Sequence, residues 1–254
     1  AGVSMYGGFV GGETDLEESM PKINQVFLSG DLNDDDYSGG DNSENAYHVL
    51  VANQLEGIAP LIDGIYVQQG NANGAAPNHG GGGIKIMNYD PWSSAYPEIY
   101  RTAFIRNSAT NGGAVAVSGT NAGVSLTRCL IANNQAENEG GGIRNGGTLI
   151  VDNCLIVANK SNGQGGAVYS NQNSCSIIGS TIVQNTAERN GGISVESGDL
   201  HGVNTIVWGN TDSVGANAQI YLSETAIWSG SYNCIQFIGD SIGGSNNIQN
   251  NPRF

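Results

Sequence analysis

The strongest constraint on how this chain can fold is a pattern that recurs about every 25 residues. Four segments align in register and a fifth keeps their first half: TAFIRNSATNGGAVAV from Thr102, CLIANNQAENEGGGIRN from Cys129, CLIVANKSNGQGGAVYS from Cys154, STIVQNTAERNGGISV from Ser180 and TIVWGNTDSVGANAQIYL from Thr205. One asparagine anchors each copy, at Asn107, Asn134, Asn159, Asn185 and Asn210, with spacings of 27, 25, 26 and 25 residues. A period of this length in strand-like segments predicts an all-β parallel solenoid, in which successive coils pair as parallel strands.

We expect a single solenoid domain over residues 1–254. Early coils occupy 1–100 with loop insertions at 31–45 and 88–98, regular coils occupy 101–211, and an irregular closing segment occupies 212–254. Because parallel strands stack about 4.8 Å apart, residues one period apart should lie above one another. The repeat therefore predicts columns of side chains running along the stack.

Two of these columns point into the core and one points out. The position three residues before each anchoring asparagine is always large and apolar: Phe104, Ile131, Ile156, Ile182 and Val207. Two residues earlier stands an inward column of small side chains: Thr102, Cys129, Cys154, Ser180 and Thr205. After the glycine pairs, strand alternation places Lys85, Arg144 and Ser194 outward, where we expect solvent. The asparagines are interpreted as structural, because Asn tolerates left-handed backbone and its amide can bond along a stack.

The four cysteines show no zinc-cluster spacing, since no CxxC motif is present. Cys129 and Cys154 should lie on adjacent coils, at a Cα separation compatible with a disulfide. Their parallel Cβ directions suit two buried free thiols better. Cys175 and Cys234 match no column of the repeat.

The short motifs of the repeat carry a resemblance to a known family. FIRN at 104–107 and GGAV at 112–115, repeated as GGGI, GGAV and GGIS, resemble the FxxN and GGA[ILV] motifs of polymorphic outer-membrane proteins. The pattern is also similar to the wider right-handed parallel β-helix repeat proteins of bacterial surfaces. This resemblance implies a right-handed parallel β-helix, an extracellular or bacterial cell-surface location, and a longer parent protein with an anchoring or sorting domain.

Composition excludes some partners. The net charge is −14, and the nine Lys and Arg residues do not cluster, which disfavours nucleic acid and anionic membrane surfaces. No apolar run approaches the roughly 20 residues of a transmembrane helix. The chain begins AGVSMYGGF without a visible signal peptide, so we expect a mature form or a fragment.

An acidic insertion at 31–45 raises the question of a metal. Asp31, Asn33 and Asp35 occupy the first three ligand positions of a DxNxD calcium pattern. Asp36 stands where an EF-hand needs Gly, and Asn42 where it needs Glu, so a standard EF-hand is not expected. Two interpretations stay open: a Ca²⁺ held by this loop, and a solvated acidic loop without metal. The fold itself requires no cofactor.

The strand before each asparagine is apolar on its outer side as well, although an exposed strand would alternate apolar with polar residues. The outward side chains include Ile105, Leu130, Leu155, Val157, Val183, Ile206 and Trp208. An exposed patch of this kind marks an interface, either with a second copy or with another surface protein. The alternative is internal cover, by the 88–98 insertion or by the tail after 212.

These observations predict a non-catalytic, extracellular or cell-surface structural or adhesive module that associates through its apolar outer sheet. A polysaccharide lyase or hydrolase of the β-helix type is the first alternative, but it needs carboxylates clustered on adjacent coils, and no catalytic residue is predicted. A passive carbohydrate-binding module is the second. Its aromatic platform would come from Tyr89, Trp92, Tyr96 and Tyr100, which could equally pack a long loop.

Overall fold

The computed structural model describes residues 3–36, 41–53, 59–89, 96–213, 215, 219–236 and 242–253. Strands make up 47% of it, and the parallel stacked coils repeat about every 27 residues along the sequence. The predicted all-β parallel β-helix is thereby confirmed. A 3-10 turn lies at Leu16–Glu18, where the Asp15 carboxylate accepts from the Glu17 N–H.

The strands follow one another in short pieces along the chain. They are β1 (Met5–Tyr6), β2 (Phe27–Ser29), β3 (Leu50–Asn53), β4 (Leu61–Asp63), β5 (Tyr66–Gln68), β6 (Asn71–Ala72), β7 (Ile84–Met87), β8 (Glu98–Tyr100), β9 (Ala103–Ile105), β10 (Ser108–Asn111), β11 (Val115–Thr127), β12 (Leu130–Ala132), β13 (Gln135–Glu139), β14 (Ile143–Asp152), β15 (Leu155–Val157), β16 (Lys160–Ser161), β17 (Val168–Ser170), β18 (Ser174–Ile178), β19 (Thr181–Val183), β20 (Ile193–Val195), β21 (Gly198–Val203), β22 (Ile206–Trp208), β23 (Ile220–Leu222), β24 (Ala226–Ser231) and β25 (Cys234–Ile235).

These strands form three parallel sheets around one core. The eight-stranded sheet stacks β2, β5, β9, β12, β15, β19, β22 and β25 in order. A four-stranded sheet stacks β6, β10, β13 and β16. The 13-stranded sheet has two rows, which the long strands β11 and β14 join because each of them spans both rows.

The predicted core columns are in place. Phe104, Ile131, Ile156, Ile182 and Val207 pair in register through the eight-stranded sheet and are all buried. The small inward column beneath them is buried too, from Thr102 to Thr205. Equivalent positions of successive coils thus point the same way, either into the core or out of it. The outward positions are the ones whose side chains form the surface.

The anchoring asparagines form a continuous buried ladder. The Nδ2 of Asn134 donates to Asn159 Oδ1 at 2.9 Å and to the Phe104 carbonyl at 3.0 Å, while its own Oδ1 accepts from the backbone N–H of Asn107 at 3.0 Å. The same pattern repeats from Asn107 up to Asn210, where Gln219 Oε1 accepts the last amide hydrogen bond at 2.7 Å. Each amide therefore ties two coils together and satisfies backbone groups at a bend.

One detail of the asparagine interpretation is wrong. The left-handed residue is the one before each asparagine, and its identity varies: Arg106, Asn133, Ala158, Gln184 and Gly209 all have φ between 54° and 66°. The asparagine follows that bend and fills the interior with hydrogen bonds. The glycine pairs behave as predicted in the coil at Gly165, where φ is 65°, while a Cβ on Gly166 would lie 2.4 Å from the Gly191 carbonyl oxygen.

The four cysteines are free thiols. Cys129 and Cys154 stack in the small inward column, and the Cys129 N–H donates to Cys154 Sγ at 3.3 Å. The other two cysteines, which match no column of the sequence repeat, also pair in register with neighbouring coils. Cys175 lies in the core between Leu149 and Leu200, and Cys234 pairs with Ile206.

We predict that Asn159→Ala lowers the free energy of unfolding by about 2–4 kcal/mol, because it leaves buried hydrogen-bonding groups on two adjacent coils without a partner. The exposed Asn162→Ala is the matched control and should change stability by less than about 0.5 kcal/mol. Urea unfolding followed by circular dichroism measures both. Equal midpoints for the two variants would show that the ladder does not hold the coils together.

Candidate functional site

A polar groove runs along the outer surface of the first row of the 13-stranded sheet. Outward residues stack there in one column, one from each coil: Val51, Lys85, Ala116, Arg144, Tyr169, Ser194 and Tyr221. The expectation that Lys85 and Ser194 face solvent is wrong, since both are buried. Loops rise beside the strands and cover parts of the column; the ammonium of Lys85, for example, donates to the Pro77 carbonyl.

A second column forms one wall of this groove. Asn111, Glu139, Gln164 and Arg189 pair in register, one from each of four successive coils, just before the glycine pairs. The column stands one residue before the first glycine in three copies and two residues before it in the fourth, at Arg189. Sequence reasoning missed it because the four residue types differ and their offset from the glycines varies.

The groove consists of two adjoining cavities. The larger, of about 680 Å³, is lined by Gln164, Tyr169, Asn171, Arg189, Asn190, Glu196, Asp212 and Tyr221. The smaller, of about 290 Å³, includes His79, Tyr89, Asn111, Arg144, Asn171 and Gln172 in its lining. Asn171 lines both cavities and thus connects them. From Gly119, against which Tyr89 packs, to Tyr221 the groove spans four coil steps, or about 19 Å.

Charged groups of both signs are paired along the larger cavity and its floor. Arg144 Nε lies 3.6 Å from Glu139 Oε2, and with the Asn171 amide oriented to satisfy both its ends, the Arg144 guanidinium donates to it at 3.1 Å. Oriented in the same way, the Gln164 amide donates to Glu196 Oε1 at 2.8 Å and accepts from Arg189 at 3.2 Å. The groove therefore offers amides, carboxylates, guanidiniums and phenols, the group types that bind hydroxyl-rich ligands.

Tyr169 forms part of the floor and is held neutral. Burial, together with the nearby carboxylates of Glu139 and Glu196, raises the pKa of Tyr169 to about 12. Tyr221, two coils further along the same column, is 41% exposed and presents its ring at the surface.

The three described tyrosines of the predicted carbohydrate platform have different neighbours. Tyr89 is exposed and lines the smaller cavity of the groove. Tyr96 packs its ring over Gly123, and the guanidiniums of Arg101 and Arg128 lie 5.1 and 5.5 Å from the ring centre of Tyr100. Trp92 lies outside the described residues. Tyr169 and Tyr221, which the sequence did not single out, join Tyr89 along the groove.

The predicted interface residues form a surface on a different sheet. We call the outer side of the eight-stranded sheet at Ile105, Leu130, Leu155, Val157, Val183, Ile206 and Trp208 the apolar face. All seven are partly exposed, Leu155 the most at 39%, and they lie in two in-register columns, as predicted. The first column continues downward through Ala103 to Tyr66 and Phe27, so apolar side chains extend over most of the eight strands.

The two segments considered as internal cover contact other parts of the rod where they are described. Tyr89 and Tyr96 of the 88–98 insertion pack on the 13-stranded sheet at Gly119 and Gly123. In the closing segment, Cys234–Ile235 extends the eight-stranded sheet by one strand. An unforeseen segment, Met20–Ile23, borders the first end of the apolar face, where it shares a cavity of about 540 Å³ with Ala103 and Leu130.

The predicted calcium ligands separate into two groups. The carboxylate oxygens of Asp31 and Asp35 lie together with those of Asp36, all within 4.8 Å of one another, whereas Asn33 is exposed. Asp31 and Asp35 remain predicted ligands, and the loop brings Asp36 to them.

The comparisons with known proteins gave no relative: no protein-family model, curated protein or solved structure matches this chain. In the part of the chain that the structure describes, no helix has the length and apolar character needed to cross a membrane. The fold therefore rests on the chain's own periodicity and geometry.

We predict that Tyr169 contributes to the loss of stability at alkaline pH. The unfolded chain releases this phenolic proton near pH 10 and the folded chain near pH 12, so stability should fall as the pH rises through that window. Tyr169→Phe should therefore lose less thermal stability than wild type between about pH 9 and about pH 11. Tyr221→Phe is the control, and equal losses in both variants would contradict the assignment.

Proposed function

We propose that this chain is a non-catalytic, extracellular or cell-surface structural or adhesive module, whose rod associates through its apolar face with a second copy of itself. The observation that carries the proposal is the apolar face: an in-register sheet surface without a charged side chain among its seven residues. The resemblance of its FxxN and GGA-type motifs to polymorphic outer-membrane proteins and bacterial-surface β-helices supports the location.

Charge limits where two copies of this chain can meet. Two chains of net charge −14 repel each other wherever their acidic loops approach. The apolar face is the place where two copies can meet without placing carboxylates in contact. An interface between two identical patches must be self-complementary, and an apolar patch meets that requirement without matching opposite charges.

The size of the apolar face sets the strength of this association. The seven residues lie on five successive strands, which give a length of about 19 Å, and three residues per strand give a width of about 10 Å. The resulting area of about 190 Å² per copy is well below the roughly 800 Å² that each partner buries in a standard stable interface. We therefore expect weak, concentration-dependent pairing, which becomes effective when many copies are displayed side by side.

We predict that replacing Val157 and Val183 together by Lys abolishes this association and leaves the solenoid folded. The two side chains occupy the same outward column on adjacent coils, so two ammonium groups would sit in the centre of the contact. Sedimentation velocity over a concentration series measures the association, and far-UV circular dichroism checks the fold.

The matched control is Ser176→Lys with His201→Lys, an outward pair on adjacent coils of the 13-stranded sheet. It changes the net charge in the same direction but leaves the apolar face intact. If both double variants associate as wild type does, or if both lose association equally, the apolar face is not the contact.

The groove favours a second candidate function, the passive binding of an extended polysaccharide. Its length suits a short run of sugar units, and Tyr89, Tyr169 and Tyr221 place aromatic rings among amides and charged groups. Binding fits better than cleavage because Glu139 is paired with Arg144, and Glu196 accepts from the Gln164 amide. A lyase or hydrolase remains the alternative use of the same groove.

Affinity electrophoresis against a panel of neutral and acidic polysaccharides tests the groove. We expect Tyr221→Ala to weaken retardation by up to about tenfold, since stacking on one ring contributes about 0.5–1.5 kcal/mol. Tyr6→Ala, which removes a comparably exposed tyrosine outside the groove, should bind as wild type. Retardation that both variants share would place binding elsewhere, and release of new reducing ends or unsaturated products would favour the enzyme.

A further inference from the structure

The cavity of about 540 Å³ at the first end of the apolar face is lined by strands of the eight-stranded sheet and by the segment Met20–Ile23. On the sheet side its lining includes Tyr66, Ala103 and Leu130, which pair in register as one outward column. Ala103 has the smallest side chain of the three, so the column dips between its two larger neighbours. The cavity thus lies where a small residue interrupts a column of large ones.

The segment Met20–Ile23 adds apolar side chains to this cavity. Met20 is 56% exposed and Ile23 is 75% exposed, although both belong to a segment held by backbone hydrogen bonds. The N–H of Met20 donates to the Gly8 carbonyl at 2.8 Å, and the N–H of Ile23 donates to the Met20 carbonyl at 2.9 Å. A ligand with an apolar body would remove these side chains from water, which is favourable, and the volume lies in the range of small-molecule sites.

Cationic side chains line the same cavity. Lys22, Arg101 and Arg128 all belong to its lining, and they are three of the nine Lys and Arg residues in the chain. None of the described residues that line it is acidic. In a chain of net charge −14 this is a local excess of positive charge, and a local excess of one sign selects ligands of the other.

The two arginines occupy equivalent positions on successive coils. The N–H of Arg101 donates to the Thr127 carbonyl at 3.1 Å, and the N–H of Arg128 donates to the Asp152 carbonyl at 2.9 Å. Both arginines have left-handed backbone, with φ of 47° and 54°, a conformation that glycine and asparagine adopt more readily. The coils on either side carry uncharged residues at this bend: Gly64, Asn153, Gly179 and Asn204. Arginine at this bend therefore coincides with the coils that border the cavity.

The cationic groups keep hydrogen-bond donors for a ligand. Arg101 uses Nε and Nη2 on the Asp63 carboxylate, at 2.8 and 2.7 Å, which takes two of the five N–H donors of a guanidinium. Arg128 donates through Nη1 to the Tyr100 hydroxyl. Within the described part of the chain, neither Arg128 nor Lys22 forms an ion pair. An anionic group at this rim would therefore meet two cations that no carboxylate of the described residues neutralises.

We propose that this cavity binds a small amphipathic carboxylate, a molecule with an apolar body and one anionic head. The body lies on Ala103 and Leu130, and the head binds at Arg128 and Lys22. A guanidinium pairs with a carboxylate through two parallel hydrogen bonds, which gives the site its preference for this head group. A neutral sugar would leave the cations unpaired, so the ligand class differs from that of the groove.

The cavity borders the proposed association surface but does not depend on association. Leu130 belongs both to the apolar face and to the cavity lining. Binding is therefore measured at a chain concentration below that at which pairing is detected. A chain that never pairs can still bind the acid, and a chain that pairs without binding the acid contradicts only the inference about the cavity.

Isothermal titration calorimetry of the full chain with octanoate is the direct test. Octylammonium is the second probe, because it has the same chain length and the opposite charge. We expect saturable binding of one octanoate with a dissociation constant on the order of 10⁻⁴ M, and binding of octylammonium at least about tenfold weaker. Equal binding of the two probes, or no saturable binding of octanoate, would overturn the proposal.

Three variants and one control localise the acid. Arg128→Gln and Lys22→Gln, both at exposed positions, should each weaken octanoate binding about fivefold, because each removes a cation and keeps a polar side chain. Ala103→Leu fills the dip in the column and should weaken binding at least about tenfold. Lys160→Gln, which removes an exposed cation on the four-stranded sheet, should bind as wild type.

Far-UV circular dichroism checks the fold of each variant. If Ala103→Leu does not fold, the two glutamine variants decide, since neither alters the apolar lining. Equal binding by these two variants and by Lys160→Gln would place octanoate outside this cavity and overturn the assignment.

Discussion

Stacking at a fixed spacing is the constraint on which the rest of this structure depends. Parallel backbone hydrogen bonds set successive coils about 4.8 Å apart, and the asparagine ladder locks the bends in the same register. Asn159 illustrates the coupling: it donates to the ladder above and its oxygen accepts from Asn134 in the coil below. Once the register is fixed in this way, the side chains at each position of the repeat form a column along the stack. All members of one column share the same environment, either core or surface.

Columns that point outward then become surfaces whose chemistry is uniform over several coils. On the eight-stranded sheet, positions such as Leu155 and Val157 give a surface without charge. On the 13-stranded sheet, loops flank the outward column at Tyr169, and the result is a groove with paired charges. The same solenoid thus presents two unlike surfaces, one without charge, which we propose pairs with another copy of the chain, and one lined by amides and paired charges.

The periodic parts of this fold could be predicted from the sequence because each column conserves a property. Ile131, Ile156 and Ile182 are alike in size and polarity, so their burial follows from spacing alone. The positions with left-handed backbone conformation were not predicted, because Arg106, Ala158 and Gln184 share no side-chain property. The bend is a feature of the backbone dihedral angles alone. Likewise, nothing in a periodic pattern indicates that a loop at Pro77 covers Lys85.

The same limit applies to the candidate sites. The apolar face was predictable, since it is a column property. The groove wall of Glu139, Gln164 and Arg189 was not recognised, because its members differ in charge although they share a register. The acidic loop lies outside the repeat, so its spacing suggested Asn33 as a ligand whereas the folded loop brings in Asp36.

The most direct test of the account is an experimental structure of the wild-type chain at a concentration where it associates. We expect two rods packed face to face, with their sheets about 10 Å apart and Leu155 and Val157 buried in the contact, while Tyr221 stays open to solvent. Contact through any other surface, with Leu155 and Val157 left in water, would contradict the central claim that the apolar face is what this solenoid uses to associate.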